Sequence, residues 1–61
     1  MQNLSSKELS AIEDQLNYEQ CLIKKYISYS TMCTDPTLKN KCNQIAGRHQ
    51  QHYDKLLSYL K

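Results

Sequence analysis

Sixty-one residues make one small domain, and below roughly 70–80 residues a single hydrophobic core seldom supplies more than about 3–5 kcal/mol without a disulfide, a metal or a partner subunit. The net charge of +2, with Lys24-Lys25 as the only adjacent basic pair, argues against nucleic-acid binding. No apolar run approaches the roughly 18–20 residues of a membrane span, and the start MQNLSSKE lacks the basic-then-hydrophobic order of a signal peptide, so a cytoplasmic chain is expected.

Ser5-Ser6-Lys7-Glu8 opens the first element as a capping box, in which Ser5 accepts from the backbone N–H of Glu8 and Glu8 reaches back to the N–H of Ser5. Leu4 and Leu9 stand where a hydrophobic staple would hold the start of the helix. From there Leu9, Ile12, Leu16, Glu19, Ile23, Tyr26, Ser30 and Cys33 follow three-four spacing without Gly or Pro, which predicts a helix over 6–32 with Glu19 as the one misfit. Leu22, Ile27 and Tyr29 flank the seam and widen it beyond what a two-stranded coiled coil needs, as in a bundle.

Pro36 disfavours α conformation at Asp35 and suits the first position of a new helix, with Asp35 as its N-cap. The turn is therefore placed at 33–35 and the second helix at about 36–60. Its inward positions are Leu38, Cys42, Ile45, His49, His52, Leu56 and Tyr59, so both histidines are expected to face inward. Gly47 lies mid-helix on the outward side, costs about 1 kcal/mol relative to alanine, and is assigned no function.

So short a link forces the helices back as an antiparallel hairpin. A hairpin encloses no interior, and the ordinary remedy is twofold pairing into a four-helix bundle, so the reading is an all-α, obligate homodimer. Across a turn near residues 34 and 35, residues at the same height have numbers adding to about 69. Glu19 then falls between the heights of His49 and His52, bringing the only three polar ligand-type side chains of the two seams into one layer. Three such groups are costly to desolvate together unless something compensates them, and a divalent metal does so. Neutral imidazole suits zinc, iron, copper and nickel alike, and a dimer offers ligands for two metals or for one crowded site. The alternative is a buried hydrogen-bonded layer that fixes helix register without metal. No nucleophile stands beside an inward base and there is no glycine-rich phosphate loop, so the reading leans away from an enzyme. Tyr18 and Tyr26 lie near Glu19 and read as packing residues ahead of redox partners.

The three cysteines are odd in number and form no C-x-x-C, which supports neither a zinc ribbon nor a thioredoxin-type motif. Cys33 and Cys42 read as small packing residues. Their heights differ by about six residues, or roughly 9 Å along the axis, beyond the roughly 4.4–6.8 Å Cα separation of a disulfide, so no bridge within one chain is expected. Cys21 falls on the outward side, where a free thiol or an intermolecular crosslink is the sharper reading.

IAGRHQQHYDKLLSYL is similar to the segment I-A-x-x-E-x-x-H-x-x-x-L of ferritin-like helical hairpins, whose first helix carries an inward Glu and whose second carries Glu-x-x-His. Glu19 falls on the first-helix ligand position, His52 on the family's His, and His49 where the family has Glu. A tyrosine-rich first helix and the turn Asp35-Pro36-Thr37-Leu38-Lys39 also resemble the spore coat protein F family. The resemblance implies a ferritin-like four-helix bundle of two chains holding iron or zinc, as a di-metal centre or its vestige, at Glu19, His49 and His52. It also implies a cytoplasmic or spore-coat location, with other coat proteins as partners. The departure at His49 weighs against iron-oxidase chemistry, which relies on bridging carboxylates. A structural coat-assembly role with a metal-free polar layer is the alternative.

Overall fold

A computed structural model describes residues 4–60. Helix α1 spans Ser6–Met32 and helix α2 spans Pro36–Ser58, and the two pack against each other as an antiparallel hairpin. The start of α1 is closed by Ser5 Oγ, which accepts from the Glu8 N–H at 3.1 Å, while Glu8 Oε1 accepts from the Ser5 N–H at 3.0 Å. The backbone and side-chain hydrogen bonds from Ser5 hold the Glu8 carboxyl below its ordinary value despite a small opposing effect of desolvation.

α1 stops where ψ of Cys33 opens to 135°, the Cys33 N–H still reaching Tyr29 O at 3.0 Å. Asp35 restarts the chain, its Oδ1 accepting from the N–H groups of Thr37 at 2.8 Å and Leu38 at 3.4 Å, with Pro36 in the first helical position. α2 ends at Ser58, two residues short of the expected limit of 60. Tyr59 and Leu60 donate to Leu56 O and Leu57 O, three residues back, the tightened pattern of a fraying last turn.

The hairpin measures 46 × 14 × 10 Å, so its short dimension is one helix thick and neither helix is enclosed. Among the described residues only Leu16, Glu19, Ser30, Cys42 and Ala46 are buried, two of them polar. Leu9, Tyr18, Ile27, Tyr29, Met32, Leu38 and Tyr59 remain 40% or more exposed. No helix among the described residues is long and apolar enough to cross a membrane.

One expectation needs correction. Leu38, His52 and Tyr59 are exposed, and Ala46 is buried with Cys42, so the α2 seam runs along Cys42, Ala46 and His49. Three residues advance a helix by about 300°, which puts His52 about 60° round from His49 and at the rim of the interface. Cys33, half-buried, and Cys42, buried, are both free thiols.

Candidate metal centre

Glu19 is the most deeply placed carboxylate, 5% exposed in the middle of α1 where three-four spacing turns it into the seam. Its Oε1 lies 2.5 Å from His49 Nδ1 and its Oε2 lies 3.5 Å from His52 Nδ1. One turn earlier on the same face, Gln15 Nε2 donates to Oε2 at 3.2 Å. Burial alone would raise the Glu19 carboxyl. The hydrogen bonds from His49 and Gln15, together with the positive charge available on both imidazoles, outweigh it and hold the carboxyl below its ordinary value. An ionised carboxylate only accepts, so His49 Nδ1 carries the proton of the short contact.

The ring of His49 is held on two sides. Tyr26 stacks on it with centroids 6.3 Å apart and planes 16° from parallel, and His52 meets it edge-on at 5.5 Å and 89°. His49 is 22% exposed and His52 53%, so the first imidazole is fixed by packing and the second stands free to move. Tyr26 also meets Tyr29 edge-on at 5.6 Å. Beside His52 a groove of about 300 Å³ opens to solvent, lined by Glu19, His52, Lys55, Leu56 and Tyr59.

Glu19, His49 and His52 each offer one ligand atom, and these lie within 4.8 Å of one another. Tetrahedral coordination at about 2.0–2.2 Å puts ligand atoms roughly 3.3–3.6 Å apart, a contraction that rotation of the exposed His52 can supply. Two neutral nitrogens and one carboxylate are a donor set suited to zinc or iron(II), and the residues fit such an ion. Three protein ligands leave at least one coordination position open.

Gln15 and the stacking role of Tyr26 were not read from the sequence. Gln15 stands four residues before Glu19, a spacing that places the two side chains together on one helical face, and that was the available signal. Tyr26 reads from the sequence as a packing residue ahead of a redox partner, and its contact with His49 refines the packing role: it packs on a candidate ligand.

No family model matches the chain, and no solved structure matches it. The chain is 29% identical over 58 residues to the uncharacterized protein YuzM of Bacillus subtilis (strain 168), an alignment covering 95% of this chain and 72% of YuzM. That name describes no activity and lends none to this chain.

Proposed function

We propose that the protein binds a transition metal ion, zinc or iron, through Glu19, His49 and His52. The observation that carries this reading is the convergence of two imidazoles on a carboxylate that is 5% exposed. Glu19, His49 and His52 would hold the ion, His49 giving up to it the nitrogen that now faces Glu19 and exposed His52 serving as the third ligand, while Gln15 would orient the carboxylate through Oε2. The role is storage, carriage or structural use of the ion. No catalytic step is assigned.

The same reading makes the protein a homodimer, two hairpins forming a four-helix bundle of the ferritin-like kind that also resembles spore coat protein F. A hairpin one helix thick with seven large apolar side chains in water supports twofold pairing, which would bring two such sites into one bundle and allow a dinuclear centre. On this reading the protein works in the cytoplasm or the spore coat, with other coat proteins as partners in the latter.

A second reading, a coat-type assembly protein with a metal-free polar layer, is favoured by one specific observation. Among the described residues no buried polar side-chain atom lacks a hydrogen-bond partner, so the layer is satisfied by its own groups. Elemental analysis of gently purified protein separates the two. The metal reading expects at least half an equivalent of zinc or iron per chain, lost on His52→Ala substitution, and a content below about a tenth of an equivalent supports the polar layer.

A further inference from the structure

Three protein ligands leave a coordination position open, and the groove beside them has a chemistry of its own. His52, Lys55, Leu56 and Tyr59 follow one another along α2 at the spacing that sets side chains on one helical face, and Glu19 meets them from α1. Together they line a groove of about 300 Å³ that opens to solvent. Glu19 and the exposed His52 border this groove and His49 does not, so the groove leads to the rim side of the cluster. Leu56 and Tyr59 give it an apolar wall, and Lys55 gives it a positive charge. A volume at the lower end of the roughly 300–1,000 Å³ of small-molecule sites suits a small ligand.

Charge decides what the groove takes. Two neutral imidazoles and one carboxylate around a divalent ion leave a net charge of about +1, and the Lys55 ammonium adds a second positive charge on the groove wall. Both favour an anion, and the apolar wall favours one with a hydrocarbon body. We propose that the groove binds a small organic carboxylate, an inference that rests on the proposed metal site. The ligand's carboxylate completes the coordination left open by Glu19, His49 and His52, Lys55 balances its charge, and its alkyl body lies on Leu56 and Tyr59. In the metal-free chain the Glu19 carboxylate borders the same groove with its charge uncompensated by an ion and repels the ligand, so binding requires the metal.

The test uses the full chain loaded with cobalt(II), whose visible absorption reports its ligands where d¹⁰ zinc is silent, and butyrate as the probe. The expected result is a saturating change in the cobalt bands, half complete at about 1–10 mM butyrate, with no heat of binding when butyrate is titrated into the metal-free chain. Lys55→Met should weaken butyrate about threefold to fivefold while cobalt uptake keeps its stoichiometry. Lys24→Met, the same change outside the groove, should leave butyrate binding as it is. Formate, which lacks the alkyl body, should bind more weakly than butyrate. Cobalt bands that butyrate does not move, as when a second copy of the chain fills the groove, would overturn the inference and leave the metal site standing. Equal binding to the metal-free chain, indifference to Lys55→Met, or formate bound as tightly as butyrate would each overturn it too. A chain that takes up no cobalt would remove the metal reading, and this inference with it.

Discussion

At the closed end of the hairpin, Asp35 and Cys33 satisfy backbone groups within four residues of themselves, whereas in the middle layer Glu19 takes its nearest partner from thirty residues away. The difference separates two jobs. Caps and turn residues decide where each helix starts and stops, and they act whatever the rest of the chain does. The Glu19 layer exists only when the helices are in register, and it places charge where an apolar seam would pack better. A group that weakens its own interface is held for register or for chemistry.

The largest expected effect lies in the middle layer. Converting Glu19, His49 and His52 together to leucine should leave the metal-free protein as stable or more stable, by about 1–4 kcal/mol, while abolishing metal uptake. Calorimetry of the metal-free proteins, with a metal titration alongside, checks both halves. A large loss of stability would mean that the layer holds the hairpin together by itself. Glu19→Ala alone should be worse than the triple change, because it leaves two imidazoles without their acceptor.

At the closed end the expected effects are smaller and local. Asp35→Ala removes the acceptor for the Thr37 and Leu38 N–H groups and should lower stability by about 1 kcal/mol without changing metal affinity. Urea melts of the variant, with its zinc isotherm, decide this. A changed affinity would show the two regions to be coupled.

Acid sharpens the contrast. The Glu19 carboxyl is held below its ordinary value of 4.5 in the fold. It therefore contributes stability that is fully present above the ordinary carboxylate range and is lost as pH falls through the lower folded value. Glu8 shifts in the same direction through its bonds to Ser5. The melting midpoint of the metal-free protein should fall on acidification below about pH 4.5, and Glu19→Gln should reduce that fall more than Ser5→Ala does. Equal effects would place the acid sensitivity at the helix cap. The smallest effect is expected at Gly47, where an added Cβ meets nothing within 4 Å. Gly47→Ala should stabilise the protein by about 0.5–1 kcal/mol, read as a higher urea midpoint.

The same contrast explains what was legible in the sequence. Helix ends at Ser5, Asp35 and Pro36 follow from chemistry between near neighbours, and the structure places the helices there. The meeting of Glu19 with His49 follows from counting heights across the turn. Counting Cα positions carries no information about side-chain direction, however. It put His52 inside when a rotation of about 60° leaves it at the rim. Gln15 is exposed and outside the apolar spacing, so only its place four residues before Glu19 marks it as a partner. A satisfied Glu-His-His cluster and a metal site share one arrangement of side chains.

Thermal melting of the wild-type chain, first stripped with chelator and then supplied with zinc at about a hundred times its dissociation constant, tests the central claim most directly. Binding to the folded chain alone should add about 2.7 kcal/mol at that excess, or roughly 10–20 °C in the midpoint of so small a domain, and His52→Ala should remove the rise. Identical melting of the stripped and supplied protein would contradict the claim that Glu19, His49 and His52 form a metal site.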